Sequence, residues 1–352
     1  MDRRRATGIG LVVVSAAGFG SGTLLAAPAY DTGIDWLTLL GWRFLIGAAL
    51  GWAWVAVSAS RRAAARRMLR RQVVIAFALG AMFTGNAGTY YAALETVPAA
   101  LASVLVYTYP VMVAVLSLWF ATRLPGRRPW VALVLAVVGV VLALGGIDAS
   151  TAPPVEGLVL VWASALIYSV WIILSARLSG ERRDRIAADV PADAVESAAG
   201  DSAVTTAVMM TATGLVFAAM AAVAGRPLDP RAVPADAWPL LLTIGFVASF
   251  LAIQTFYAGA RRIGAAHAAL VATVEPVYIV VLAGLFLSQV LAPMQLVGAG
   301  LILVGVIVAQ TAPRPRGAPE PAVPLDGVLE ADPVSSEAGV EAGEPLTEGR
   351  GG

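Results

Sequence analysis

The chain has 352 residues, of which 59% are hydrophobic and only 13% charged, and a mean hydropathy of +0.79 lies outside what a water-soluble domain of this size reaches. The net charge of +1 gives no basic surface for nucleic acid. With no cysteine and a single histidine, disulfides, thiolate metal sites and most metal-based catalysis are excluded.

In chain order, apolar runs long enough to cross a bilayer fall at 8–29, 34–57, 73–94, 98–120, 129–147, 156–177, 203–225, 238–258, 264–287 and 291–311. About 20 helical residues rise about 30 Å, the thickness of the hydrocarbon core. Such continuous runs predict helices, because backbone groups in lipid must bond within their own segment and barrel strands would alternate polar and apolar residues. The first run follows Arg3, Arg4 and Arg5 and precedes Ala26, Ala27 and Ala29, the outline of a signal peptide. From Ile9 to Ala27 it is longer than a usual signal core, so a retained first span is expected. Between the sixth and seventh runs, residues 178–202 read as a flexible cytoplasmic loop, and 312–352, rich in Pro, Gly and Glu, as a disordered cytoplasmic tail.

The arginines orient this array. Arg61, Arg62, Arg66, Arg67, Arg70 and Arg71 lie in the second loop, and Arg123, Arg127 and Arg128 in the fourth. On the same side fall Arg177, Arg182, Arg183, Arg185, Arg261, Arg262, Arg314 and Arg316, whereas the opposite loops hold only Arg226 and Arg231. The positive-inside rule then places both termini in the cytoplasm of a multi-pass cell-membrane protein.

An offset of 166 residues aligns Tyr91 with Tyr257, Pro98 with Gly264, Pro110 with Pro276 and Gly139 with Gly305, without a gap. Helices three to five thereby match helices eight to ten. Each half holds an odd number of spans, so the second half enters the membrane from the opposite side. The expected fold is all-α: ten transmembrane helices as two inverted five-helix repeats, 8–147 and 156–311, the architecture of secondary carriers.

Glu275 is the one carboxylate deep inside a span, about 16 Å from the start of its helix at Gly264. A charge at that depth is costly unless paired, protonated or wet, so Glu275 is the leading candidate for solute binding or proton coupling. A protonated acid bonded to neighbouring helices is the structural alternative. Pro276 lacks an amide hydrogen and frees a helical carbonyl, a candidate helix break; its repeat mate Pro110 follows Tyr109, which sits at similar depth from the other side. Arg43, about seven residues inside the second span, can snorkel outward, pair with an acid or contact an anionic group. His267 is the only histidine, a residue type suited to proton exchange, but it is expected one turn from the cytoplasmic end of its helix. Asn86, Tyr90, Tyr91, Tyr107, Thr108, Trp162, Tyr168, Trp171, Gln254 and Tyr257 are candidates for a polar-aromatic cavity lining, each with packing or interfacial anchoring as the alternative. Such a lining suits amphipathic or zwitterionic solutes better than highly charged phosphates, which would need several arginines.

The stretch Tyr90-Tyr91-Ala92-Ala93-Leu94 through Pro98-Ala99-Ala100-Leu101-Ala102-Ser103 to Tyr109-Pro110-Val111, its second copy ending Glu275-Pro276-Val277, and Trp42-Arg43-Phe44 resemble the EamA-type members of the drug/metabolite transporter superfamily. The resemblance spans about residues 8–311. It implies a gradient- or proton-coupled carrier of small metabolites or drugs, often an exporter, working in a lipid bilayer without a cofactor. Where relatives commonly carry an acid after the fourth and ninth helices, this chain has Arg123 and Gln289. A membrane enzyme is disfavoured because one histidine and one buried carboxylate leave no catalytic pair. A non-transporting scaffold or sensor acting through the tail is the remaining alternative.

Overall fold

The computed structural model describes residues 3–120, 128–145, 152–178, 202–226, 229–263, 268 and 271–310. Arg123, His267, most of the loop at 178–202 and the tail at 312–352 lie outside the described residues. The described residues are helical and contain no strand: α1 (Arg3–Leu24), α2 (Ala26–Asp31), α3 (Trp36–Ala56), α4 (Ala59–Arg67), α5 (Arg70–Ala93), α6 (Ala99–Val106), α7 (Tyr109–Phe120), α8 (Arg128–Gly145), α9 (Val155–Leu178), α10 (Ser202–Val223), α11 (Ala237–Ile244), a π-helical segment (Gly245–Leu251), α12 (Ala252–Ile263), α13 (Val274–Phe286) and α14 (Pro293–Gln310). Six of the continuous helical stretches are long and apolar enough to cross a membrane: Arg3–Asp31, Trp36–Ala56, Arg70–Ala93, Val155–Leu174, Ala203–Val223 and Ala237–Ala260. Four shorter apolar helices, Ala99–Val113, Trp130–Ala143, Val274–Phe286 and Pro293–Val308, lie within the other four expected runs. Three of these four carry a proline at an internal break or in the first turn, at Pro110, Pro276 and Pro293.

The second loop is more ordered than a loop reading implies, because α4 packs a helix of nine residues, four of them arginine, across the end of α3 with no buried side chain. At the other end of α3, the first-turn amides have partners of their own. Asp35 Oδ1 accepts from Thr38 N at 2.8 Å and Glu95 Oε1 accepts from Trp36 N at 3.0 Å, which satisfies donors that a helix start leaves open. Arg226 Nε stands 3.0 Å from Asp35 Oδ2, so the turns near residues 35, 95 and 226 share one end of the bundle. The opposite end gathers the start of α1 beside Ile263 and Arg262, and Val55, Met68 and Val204 in one apolar cluster. The expected result of Asp35→Ala is a loss of about 1 kcal/mol, the worth of an N-cap. Arg226→Ala should lose no more than about 0.5 kcal/mol, because that pair is half solvent-exposed and screened. Unfolding in mixed detergent micelles distinguishes the two.

Lipid gives helices no hydrophobic reason to associate, so close backbone approach and shared hydrogen bonds must hold them. Such an approach joins α8 and α14: a methyl placed on Gly139 would meet Gly298 O at 2.7 Å and Ile302 N at 2.9 Å, and one on Gly305 would meet Ala132 O at 3.0 Å. Elsewhere Thr213 Oγ1 and Trp171 Nε1 donate to the carbonyls of Gly80 and Leu79, at 2.8 and 3.0 Å. Further packing pairs are α3 with α10, α1 with α12, α5 with α9, α5 with α10, α1 with α13, α3 with the π segment, α7 with α9, and α6 with α13. The outer faces are apolar, as at Val141, Leu285 and Phe286, which suits a belt of lipid.

Candidate functional site

The site begins with two prolines. Pro276 is the third residue of α13 and Pro110 the second of α7, first-turn positions where a missing N–H costs nothing to the helix that starts there. The cost falls on the preceding turn, whose carbonyl four residues back loses its partner. For Pro276 that carbonyl belongs to Ala272, and Tyr107 takes it: the phenol stands 3.1 Å from Ala272 O and 3.0 Å from Glu275 Oε2. Tyr107 itself occupies the turn that separates α6 from α7, at Tyr107–Thr108. The break in one helix thus supplies the group that reads the break in the other.

A phenol carries one hydrogen, so Tyr107 can donate to only one of these acceptors at a time. With Glu275 ionised, the hydrogen serves the carboxylate and the Ala272 carbonyl goes unpaired. With Glu275 protonated, the acid can donate to the phenol oxygen while Tyr107 donates to Ala272. The proton on Glu275 therefore selects between two hydrogen-bond patterns at an interrupted helix.

Aromatic rings enclose this centre. Tyr109 lies 5.7 Å from Tyr107 and 4.7 Å from Tyr168 by ring centroids, both edge-on, and Tyr168 stacks on Trp171 at 5.8 Å. Tyr109 is steadied by Ser169 Oγ, which donates to its carbonyl at 3.1 Å. Arg43, Tyr90, Tyr91 and Tyr168 lie close enough to Glu275 to interact with its charge. Ser21 and Tyr278, one turn beyond Glu275, are joined hydroxyl to hydroxyl at 2.9 Å. At the end of the bundle that holds Glu95 lies a crevice of about 240 Å³ whose lining includes Thr23, Glu95, Thr96 and Gln289.

The expected site residues separate into two groups. Glu275, Tyr107, Tyr109 and Tyr90 are brought together, with Tyr91 and Tyr168 beside them. Arg43 does not snorkel: it is buried, its Nε donates to Ser249 Oγ at 2.9 Å, and its guanidinium lies 4.8 Å from the Tyr91 ring and 5.1 Å from that of Phe44. A pull from the bundle interior replaces the pull to the surface because Ser249, on the π segment, offers an acceptor one helix away.

Asn86 is spent on packing, its amide donating to Ser164 O and Oγ at 3.1 and 3.0 Å while Ser164 Oγ donates back to Asn86 O. Trp171 and Tyr257 are buried in a second apolar cluster with Leu79 and Met209. Gln254 is half-buried with no hydrogen-bond partner among the described residues, Thr108 Oγ1 turns back on Leu105 O at 2.8 Å, and Trp162 faces outward. Gln289 caps the start of α6 from the other half of the chain, its Oε1 accepting from Ala100 N at 3.4 Å.

Ser249, Ser164, Tyr278 and the Ala272 carbonyl are additions that the sequence reading missed. Of these only Tyr278 had a local signal, its position three residues after Glu275 on the same helical face. Among the described residues no cluster of His, Cys, Asp and Glu is arranged to hold a metal ion.

No curated protein matches this chain. Among solved structures 24 chains match. One, described only as "Crystal structure of protein", superposes with a TM-score of 0.54 at 21% identity over 84% of this chain and 96% of its own, a likeness of fold. The model of the EamA-like transporter family matches residues 6–145 and 195–311, most of the membrane region together with the break at Tyr107 and the Glu275 segment. This multi-pass membrane protein belongs to the EamA-like transporter family.

Proposed function

We propose that the protein is a secondary-active carrier of small amphipathic organic solutes, working by alternating access between two inverted five-helix repeats, with Glu275 as the proton-coupling and solute-binding acid. The observation that carries the reading is the bond from Tyr107 to Glu275 at 3.0 Å, made between two interrupted helices, one from each half of the chain. Carriers place their sites at such broken helices near the interface of the repeats.

The helix contacts support the repeat. Exchanging the two halves turns α1 on α12 into α9 on α5, α10 on α5 into α3 on the π segment, and α1 on α13 into α9 on α7, each of which is a packed pair. The pairs α3 with α10, α6 with α13 and α8 with α14 map onto themselves. The correspondence holds for single residues: Gly139 faces Gly298 and Ile302, and Gly305 faces Ala132 and Ala136, which are the same contacts moved by 166 positions. The basic residues favour a cytoplasmic location for both termini, in the cell membrane, with the Glu95 crevice opening outward. Export is the direction that the family resemblance favours.

The absence of cysteine makes the topology directly testable. A single cysteine at Glu95 should react with membrane-impermeant maleimide in intact cells and one at Arg262 only after permeabilisation, and equal labelling of both in intact cells overturns the inverted repeat. In proteoliposomes the flux of labelled solutes should saturate and show counterflow, and removal of residues 312–352 should leave it unchanged; a scaffold acting through its tail would show neither. Tyr107→Phe deletes the hydroxyl while keeping the ring. It should slow gradient-driven uptake about tenfold, the worth of one hydrogen bond to a charged group.

A further inference from the structure

A second cavity, of about 270 Å³, lies between α6, α13 and α14, and its lining includes Val104, Tyr107, Val280, Leu296, Ala299 and Gly300. Its rim is formed by Val277, Val281 and Leu296, each about half exposed on the outer face of the bundle, where the surroundings are lipid. The lining is hydrocarbon except for the Tyr107 phenol and backbone. That phenol is the group bonded to Glu275, so the groove and the acid meet at one side chain, and Pro276 lies in the groove wall.

We infer that this groove receives the apolar tail of the transported solute directly from the bilayer while its polar head engages Glu275 and the tyrosines. This rests on the reading of Glu275 as the solute site. A tail drawn through a closed aqueous path would leave hydrocarbon at a cost of about a factor of four in equilibrium constant per methylene. A groove open to lipid avoids that step, because the tail stays among apolar atoms as the head crosses. Lipid and the groove are equally apolar, so the tail adds little affinity and the head chooses the solute. The solute class is therefore a single-chain amphipath with a compact polar head.

Gly300 gives the means to test this. A methyl placed on it meets nothing within 4 Å, so Gly300→Phe can fill the groove without disturbing a helix contact. The probe is dodecylphosphocholine carrying a diazirine at its chain end, photolysed in proteoliposomes, with a two-chain phosphatidylcholine bearing the same tag as comparison. The expected result is enrichment of the single-chain label at Val280 and Leu296 over the outer faces of Val134 and Val141 on α8, an even distribution of the two-chain label, and loss of the enrichment in Gly300→Phe. Enrichment of both lipids means a resident bilayer lipid and overturns the inference, as does an even distribution of both or labelling indifferent to Gly300→Phe. Glu275→Gln should keep the groove labelling while losing coupled flux. Flux indifferent to Glu275→Gln, with labelling intact, would count against Glu275 and leave the groove standing.

Discussion

Gly298→Leu is expected to leave little assembled protein, whereas Gly300→Leu, two residues on in the same helix, is expected to purify like the parent. A methyl at Gly298 would meet Ala143 N at 2.5 Å and the carbonyl of Gly139 closer still, and both are backbone atoms of α8 that no rotamer change can move. The helices would have to separate along the contact that α8 and α14 share, and this contact has no hydrophobic driving force to restore it in lipid. Overpacking of well-packed interiors costs roughly 1–3 kcal/mol where side chains can give way. Rigid backbone on the far side puts Gly298→Leu at or above about 3 kcal/mol. The check is the fraction of monodisperse protein recovered in mild detergent and its midpoint of unfolding in added SDS. Equal recovery of the two variants would mean that α8 and α14 can part freely.

What the sequence made legible follows from which interactions are local. The six long spans were readable because each is a continuous apolar run. The breaks at Tyr107 and Thr273 were foreshadowed by Pro110 and Pro276, since the ring removes a named hydrogen bond. The identity of the group that would claim the freed Ala272 carbonyl was not readable, because Tyr107 is 165 residues away. Arg43, counted from the helix start, was left open to snorkelling, pairing with an acid or contacting an anionic group. Its burial depends on Ser249, 206 residues away in a π-helical segment that a 3.6-residue period cannot reveal. Asn86 and Trp171 looked like cavity lining because they are polar groups in apolar helices. In lipid such groups are equally suited to bonding a neighbouring helix, and both do so, through Ser164 and the Leu79 carbonyl.

Glu275→Gln should separate coupling from binding. Glutamine keeps the length and shape of glutamic acid and can still accept from Tyr107, so a solute held by hydrogen bonds retains a site. What disappears is the exchangeable proton that chooses between the two patterns at Ala272. Without it the carrier has one pattern in both orientations, and a pH gradient has nothing to act on. In proteoliposomes, uptake driven by an imposed pH gradient is expected to fall at least about a hundredfold, the upper end for a charge-assisted bond made in one state only. Counterflow without a gradient should survive within a few-fold. Glu275→Ala removes the acceptor as well, leaves the Tyr107 hydroxyl to the Ala272 carbonyl alone, and should abolish both activities. Gradient-driven uptake at the parental rate in Glu275→Gln would reject this acid as the coupling group, while equal loss of counterflow and driven uptake would assign it to binding. The two variants must be compared in one vesicle preparation at matched protein content, because only the ratio of driven uptake to counterflow distinguishes a lost proton from a lost site.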